Sequence, residues 1–468
     1  MIATIAFEMV LLLGVGQAAT PDSLIVPVIT DTTIETEIQI FPPTGIALPV
    51  YYQVAWGDGE TLDWTGPLKS PTDISRYHKY RRLGDYTIRV RVRDVQMRIS
   101  EWSRPFPIAV TEPVLKWIFD TPEPIVAAPT LDPHGNIYVG DESGTLYSVA
   151  PDGRLRWKFA TKDAIYASAV SVRDLIYVAS VDSNLYCLDT AGVQRWAVDF
   201  DDELYSAPAL GKDGTIYIGT DKGTFAAVAP NGKVRWKRKL GDEIASSPTV
   251  GVNGLVYATA DSVYCFDGRG RRRWAFGTAE GDYFYAGAVP DLKGFVYVGN
   301  TDGFLYCLQP NGRLAWRAPV PDEDEVRPEV AFGPDSALYF GTDGYYLCRK
   351  TEDGTPYTIY EADDILIATA AFSDKGTVFY LPDDGVLYGL TNGDGRLLWK
   401  RDVAAGSKDL YYTSSPTIAP DGTIYVGSWD NGLYAFRGDG GPASTLWPQY
   451  RHDAQHSGRV VAPSKPKP

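Results

Sequence analysis

Short runs of apolar residues, separated by glycine turns, dominate the chain from Trp117 to Trp447. In a typical unit, the run 137–140 (Ile-Tyr-Val-Gly) is joined to the run 146–149 (Leu-Tyr-Ser-Val) by a polar turn. Short runs rich in Val, Ile and Tyr that are bounded by such turns are typical of β-strands. Apolar residues at the spacing of an amphipathic helix do not recur in this region. The pattern therefore predicts an all-β fold.

The strand pairs recur with a period of about forty residues, which is the period of a β-propeller blade. Most copies close on a glycine turn and a tryptophan, as at Gly232 and Trp236. The aromatic residue of the first run marks each copy: Tyr138, Tyr177, Tyr217, Tyr257, Tyr297, Tyr339, Phe379 and Tyr425. These eight positions predict an eight-bladed β-propeller over residues 114–450.

The repeat resembles that of the pyrroloquinoline-quinone (PQQ) type propellers, and the string 424–436 (IYVGSWDNGLYAF) shows the likeness best. This resemblance implies one of two kinds of protein. One kind comprises quinoprotein alcohol and sugar dehydrogenases, which hold PQQ beside calcium at the propeller mouth and use an aspartate as general base. The other kind keeps the propeller without the chemistry, and it includes the BamB-type assembly lipoprotein and many secreted proteins.

Two features favour the second kind. Residues 114–450 leave little more than strands and tight turns for each blade, whereas the dehydrogenases carry long insertions. Many of those enzymes also place a disulfide between adjacent cysteines against the quinone, and no two cysteines are adjacent here. We expect a non-catalytic binding or assembly scaffold. The alternative is a small PQQ- and calcium-dependent dehydrogenase with Asp202, Asp242 or Asp282 as its base.

The four cysteines are expected to be packing residues. Cys187, Cys265, Cys307 and Cys348 fall at one place in the repeat, where other copies carry Ser, Ala or Gly. A position restricted to small residues indicates close packing, and a free cysteine behaves as a small apolar side chain. A disulfide between blades is the alternative, and paired Cys-x-x-Cys spacing for zinc is missing.

The N-terminal residues 1–19 have the pattern of a signal peptide, because an apolar run is followed by small residues. The run is too short for a typical membrane span. No cysteine follows it that could carry a lipid anchor. We expect an extracytoplasmic mature chain, whether periplasmic, cell-surface or secreted, without a transmembrane span.

Residues 22–111 have a different rhythm and form a separate predicted domain. Residues 86–94 alternate apolar and basic side chains, which indicates a strand with one buried face. This stretch, the 51–59 run (YYQVAWGDG) and the 78–85 corner resemble the PKD-type immunoglobulin-like β-sandwich. Such modules act as spacers or adhesive domains, so we expect an adaptor role.

The net charge of −15 excludes a nucleic-acid partner, because a phosphate-binding surface needs a basic stripe. We expect an envelope or extracellular protein or a glycan instead. Carboxylates stand just before the innermost strand of each blade, at Glu123, Asp163, Asp202, Asp242, Asp282, Asp324, Asp364 and Asp409. They predict an acidic rim around one mouth of the channel, which is either a cation or ligand site or a set of solvated turns.

Three residues beyond each rim acid, and four beyond Asp409, which is one residue out of register, a second set of positions is expected to face the channel. It comprises Val126, Tyr166, Tyr205, Ala245, Tyr285, Arg327, Ile367 and Thr413. Arg327 is the one cation in this set, and it can either anchor a carboxylate or quinone oxygen or neutralise Glu329 or the acidic run 322–325.

The C-terminal tail, residues 451–468, opens with His452, Asp453 and His456, whose spacing permits metal ligation. We favour a closing role, in which Trp447 completes the last blade and the histidines bond the tail across the propeller base. Either of two strands, at 115–118 or 445–447, is able to close the ring. The Pro- and Lys-rich end is expected to be disordered.

Overall fold

The computed structural model describes residues 23–25, 29–31, 36–41, 49–68, 74–111, 114–241, 243–244, 246–278, 282–351, 355–403, 414–446 and 448–460. The predicted signal peptide, Asp242, Ala245, Asp409, Thr413, Trp447 and the end of the tail lie outside these residues. Within them, the single helical segment is the 3-10 turn Pro321–Glu323. No helix in this part of the chain is long and apolar enough to span a membrane. Contacts divide the chain into two compact units between Val114 and Leu115.

The N-terminal unit consists of two sheets. Its strands are β1 (Ser23–Ile25), β2 (Ile29–Asp31), β3 (Thr36–Phe41), β4 (Val50–Ala55), β5 (Thr65–Leu68), β6 (Ile74–His78), β7 (Gly84–Arg93) and β8 (Phe106–Thr111). One sheet has the order β1-β3-β6 and the other β2-β8-β7-β4-β5. All pairs are antiparallel except β2 with β8.

Alternation along β7 builds the core of this unit. Ile88, Val90 and Val92 are buried, and each contributes about 1.5–3 kcal/mol by leaving water. The arginines between them lie on the other face, where Arg91 stacks 4.4 Å from the ring centroid of Trp102. The alternation predicted for residues 86–94 is therefore present.

The second unit is built from four-stranded antiparallel sheets and opens with β9 (Leu115–Asp120). The first four sheets comprise β10 (Thr130–Leu131), β11 (Ile137–Gly140), β12 (Thr145–Val149) and β13 (Leu155–Ala160); β14 (Val170–Val172), β15 (Leu175–Ala179), β16 (Asn184–Asp189) and β17 (Gln194–Asp199); β18 (Ala209–Leu210), β19 (Ile216–Gly219), β20 (Thr224–Val228) and β21 (Val234–Lys239); and β22 (Thr249–Val250), β23 (Val256–Thr259), β24 (Val263–Phe266) and β25 (Arg272–Phe276).

The remaining sheets follow the same order. They comprise β26 (Val289–Pro290), β27 (Val296–Gly299), β28 (Phe304–Leu308) and β29 (Leu314–Pro319); β30 (Ala331–Phe332), β31 (Leu338–Gly341), β32 (Tyr346–Lys350) and β33 (Tyr357–Glu361); β34 (Ala371–Phe372), β35 (Thr377–Tyr380), β36 (Val386–Thr391) and β37 (Leu397–Asp402); and β38 (Thr417–Ile418), β39 (Thr423–Gly427) and β40 (Gly432–Arg437) with β9. The part of the chain that the structure describes thus contains eight such sheets.

The aromatic residue that marks each repeat lies on the second strand of its sheet, and in seven of the eight sheets it faces a small residue of the third strand. Tyr177 faces Cys187, and Tyr257 faces Cys265. A larger residue there would collide with the ring or with the neighbouring sheet, because protein interiors are close-packed. This pairing explains why the position carries Cys, Ala, Ser or Gly.

Cys348 corrects the expectation that all four cysteines share that position. In the sixth sheet, Tyr339 faces Arg349, and Cys348 faces Phe340 instead. The turns before β28 and β32 have the same length, and Cys348 is the third residue of β32, whereas Cys307 is the fourth residue of β28. All four cysteines are free and buried, and burial raises the pKa of each thiol to about 12.

Tryptophans join consecutive sheets. The indole N–H of Trp196 donates to the carbonyl of Pro230 in the next sheet, at 3.0 Å. Gly232 of the same turn has a φ of +84°, and a Cβ there would lie 2.9 Å from the indole of Trp196. Only glycine fits both the backbone angle and the close approach. The repeated glycine and tryptophan are therefore the two halves of a contact between neighbouring sheets.

The last sheet is closed by the N-terminal strand of the unit. β9 pairs with β40, so that Trp117 faces Ala435. The expectation that Trp447 completes this sheet is therefore corrected: β9 holds the outer position, and Thr445 and Leu446 are not in a strand. Pairing the first strand of the unit with the last sheet covers the edge of β40.

Candidate functional site

A cavity of about 510 Å³ lies where the segments before the innermost strands converge. It is lined by Val126, Ala127, Ala128, Tyr166, Ala167, Ser168, Tyr205, Glu243, Ser246, Ser247, Tyr285, Gly287, Arg327, Pro328, Glu329, Ile367, Thr369, Ser415 and Tyr450. Every one of the eight sheets contributes at least one of these residues. Six of the positions expected to face the channel are among them; the other two, Ala245 and Thr413, lie outside the described residues.

The C-terminal tail crosses one end of this cavity. Its backbone accepts hydrogen bonds from four successive innermost strands: Leu131 N to Ala454 O, Ser171 N to Gln455 O, Leu210 N to Ser457 O and Val250 N to Gly458 O. Phe372 N donates to Pro448 O, and Ile418 N donates to the side chain of Gln449. The tail therefore closes the base of the cavity and leaves the rim end as its mouth.

Arg451 is the fully buried centre of the tail. Its guanidinium donates to the carbonyls of Pro248 at 2.6 Å and Pro208 at 2.9 Å. It also lies 3.6 Å from the carboxylate of Glu329, which lines the cavity floor and is 4% exposed. This ion pair joins the tail to the sixth sheet.

The histidines of the tail hold it in place. His456 is buried, with Nδ1 2.9 Å from the Thr130 hydroxyl and Nε2 3.2 Å from the Thr417 hydroxyl. Burial lowers the pKa of His456 to about 3, with a further lowering by Arg451. His452 Nδ1 lies 3.3 Å from Asp453, which also accepts the backbone N–H and hydroxyl hydrogen bonds of Ser457. Among the described residues, no group of three or more His, Cys, Asp or Glu side chains could hold a metal.

The predicted rim acids are set apart from the residues that line the cavity. None of the six that the structure describes is a lining residue. Glu123 and Asp163 are exposed, and Asp282, Asp324 and Asp364 are half-buried. Asp163 and Asp364 each accept the backbone N–H of the following residue, which shapes the turn at the rim.

Asp202 differs from the other rim acids because it is buried. Its carboxylate accepts hydrogen bonds from the Thr220 hydroxyl at 2.5 Å and from the Lys222 backbone N–H at 3.0 Å. Lys222 Nζ lies 3.5 Å from the other oxygen. These contacts tie the rim of the third sheet to the turn between β19 and β20, which is a positioning role.

A second set of acids lies beside the rim and was missed by sequence reasoning. In six of the sheets, the turn after the second strand bonds back to the rim segment, as where Glu142 N donates to Pro124 O and Asp343 N to Glu325 O. Burial raises the pKa of Glu142, with Glu123 adding to the shift. Burial also raises the pKa of Asp343 to about 6. An acid that recurs two or three residues after the end of each second strand was the available signal.

The wall of the cavity carries several tyrosines and one arginine. Tyr166 and Tyr205, from adjacent sheets, are stacked with ring centroids 5.8 Å apart. Arg327 lies 5.8 Å from the ring centroid of Tyr285. The same guanidinium contacts Glu325 at 2.7 Å and Asp343 at 3.0 Å. Arg327 therefore neutralises Glu325, a residue of the 322–325 run, which is one of the partners expected for it. Glu329, the other expected partner, pairs with Arg451 instead.

Comparisons with known proteins agree with this architecture. The family described as outer membrane protein assembly factor BamB matches residues 114–199, 181–337 and 302–447. BamB from Moraxella catarrhalis has a similar structure, with 13% identity, a TM-score of 0.57, and coverage of 70% of this chain and 98% of that chain. A comparison with curated protein sequences finds no match.

Two enzymes of known structure are also similar. Quinohemoprotein alcohol dehydrogenase from Comamonas testosteroni gives 13% identity and a TM-score of 0.55, over 72% of this chain and 79% of that chain. A europium-containing methanol dehydrogenase gives 13% identity and a TM-score of 0.54, over 67% of this chain and 85% of that chain. Likeness at this identity shows the fold alone, and the fold is a PQQ-like β-propeller. The chain belongs to the family described as outer membrane protein assembly factor BamB.

Proposed function

We propose that this chain is a non-catalytic propeller scaffold whose eight sheets are eight blades and whose cavity binds a protein, glycan or small ligand at an acidic mouth. The observation that carries the proposal is the cavity itself, which is built from all eight sheets and closed at its base by the tail. Its volume of about 510 Å³ lies within the range of small-ligand sites. Aromatic and hydroxyl groups on its wall suit recognition rather than a particular reaction.

The residues fit the alternative, a PQQ- and calcium-dependent dehydrogenase, poorly. PQQ is a multiply charged anion, and the cation on the wall, Arg327, already contacts Glu325 and Asp343. Glu243 on the wall would repel an anionic quinone. Asp202 holds a turn of its sheet, and neither it nor Asp282 lines the cavity. These contacts favour the scaffold.

The proposed location is extracytoplasmic, and the proposed partner belongs to the cell envelope or the extracellular space. The family is described by an assembly factor of the outer membrane, which supports a protein partner. Residues 1–19 remain the predicted signal peptide. The two sheets of the N-terminal unit are proposed to form an immunoglobulin-like adaptor over residues 22–111.

A thermal-unfolding panel tests the function. The mature chain would be heated with calcium, with calcium and PQQ, with basic peptides and with oligosaccharides. We expect at least one peptide or oligosaccharide to raise the melting temperature of the wild type and not of Tyr205→Leu. Saturable PQQ binding with dye-linked oxidation of alcohols or sugars would overturn the scaffold proposal, as would a panel without any shift.

A further inference from the structure

The mouth of the cavity combines tyrosine faces with carboxylates. Tyr205 donates its hydroxyl hydrogen bond to Glu203 at 2.7 Å and stacks on Tyr166. Glu243, from the next sheet, is exposed and lines the same cavity. Tyr285 is 40% exposed and stacks on Tyr283, with ring centroids 5.7 Å apart. Aromatic faces attract cations through the ring quadrupole, and a nearby carboxylate adds a direct charge interaction.

Arg327 is an example of a cation held by a tyrosine and carboxylates on the wall of this cavity. This guanidinium lies near the ring of Tyr285 while contacting Glu325 and Asp343. The chain thus already places one of its own cations between a tyrosine and two carboxylates. Tyr166, Tyr205 and Glu243 line the same cavity and carry the same kinds of chemical group.

The charge state of the surrounding carboxylates supports a cationic ligand. Burial raises the pKa of Asp324, and its acidic neighbours Asp322 and Glu325 add to the shift. The pKa of Tyr166 is raised by burial and then by Glu142 and Asp163. Burial is the largest cause of both pKa shifts and the neighbouring carboxylates add to each, and a bound cation would offset that second contribution.

We propose that the cavity accepts a lysine or arginine side chain from a basic peptide segment of the partner, between Tyr166, Tyr205 and Glu243. This inference rests on the proposed binding function and narrows its ligand to one class. An anionic ligand would meet the carboxylates, and a neutral glycan would leave their mutual repulsion unrelieved. A peptide side chain also has the linear shape needed to enter a channel that is closed at its base.

Calorimetric titration with tetralysine amide tests the proposal, and its matched control is the same peptide with acetylated side chains. We expect one saturable site for tetralysine, none for the acetylated peptide, and weaker binding as salt rises. Glu243→Gln and Tyr205→Leu should each raise the dissociation constant at least about tenfold. Asp152→Asn, which removes an exposed carboxylate of an outer turn, should leave it unchanged.

The outcomes separate this inference from the function on which it rests. Equal weakening by Asp152→Asn and Glu243→Gln would mean nonspecific attraction to an acidic surface and would overturn the proposal. Binding of cellotetraose, but not tetralysine, with loss in Tyr205→Leu would overturn the ligand class while keeping the cavity as a binding site. Absence of tetralysine binding to the wild type would also overturn the inference. Unfolding midpoints measured for each variant show whether it is folded.

Discussion

The guanidinium of Arg451 lies 3.6 Å from the carboxylate of Glu329, and both side chains are buried at the closed end of the cavity. The pair joins the tail to the sixth sheet, while the same arginine bonds carbonyls at Pro208 and Pro248. One side chain of the tail thus links three sheets of the ring. This geometry makes the tail part of the fold and the floor of the site.

Replacing Arg451 should destabilise the propeller strongly. Arg451→Met removes three polar contacts and takes the guanidinium away from the buried carboxylate of Glu329, which costs about 3–5 kcal/mol. Urea unfolding followed by tryptophan fluorescence measures the change. Arg451→Met with Glu329→Gln should recover part of the loss, because the uncompensated charge is gone. An unchanged midpoint in Arg451→Met would show that the tail is not docked as described.

His456 should make the tail acid-sensitive. Its folded pKa of about 3 lies below the ordinary value of 6.5, so the unfolded chain binds the extra proton first. The stabilisation is therefore complete above about 6.5 and is lost as the pH falls toward 3. Asp453 and Arg451 are the charged groups acting on the ring. The stability difference between wild type and His456→Gln should shrink between pH 7 and pH 4; a constant difference would contradict this.

Two glycines with the same backbone conformation allow the contribution of the contact between neighbouring sheets to be measured separately from backbone strain. Gly270 and Gly254 have φ values of +73° and +75°, so both alanine variants carry the same backbone strain. A Cβ at Gly270 would lie 2.6 Å from the indole of Trp236, whereas one at Gly254 meets nothing within 4 Å. Gly270→Ala should lose about 1–3 kcal/mol more than Gly254→Ala. Equal losses in chemical denaturation would argue against the tryptophan contact.

The thiols should be unreactive in the folded protein. All four cysteines are free and buried, and burial raises their pKa values to about 12. A thiol reagent at pH 8 should therefore label native protein very slowly and label all four cysteines in denaturant. Fewer than four labelled thiols after denaturation without reductant would reveal a disulfide.

The local pattern was sufficient to locate the strands of the repeat. The aromatic of each repeat lies on a strand, as predicted. This prediction succeeded because strand and turn preferences depend on only a few neighbouring residues. The regular spacing of glycine and tryptophan was also visible in the sequence. The contact that these residues make between neighbouring sheets was not predicted from it. The offset of Cys348 became visible only in the strand pairing, because a difference of one residue along a strand places a side chain on the opposite face.

The contacts of the tail could not be predicted in this way. Arg451 bonds carbonyls of residues that precede it by more than two hundred positions, and such contacts depend on closure of the whole ring. For the same reason, the sequence did not identify the strand that closes the last sheet, since β9 and the segment before Trp447 have similar sequences. The acids after each second strand were visible as residues, but their position beside the rim follows from backbone hydrogen bonds.

A crystal structure of the chain with tetralysine amide tests the central claim most directly. We predict one lysine side chain inside the cavity, with its stem against Tyr205 and its ammonium within hydrogen-bond distance of Glu243. The tail should still close the base. A peptide ordered only on the outer surface, with the cavity unaltered, would contradict the account.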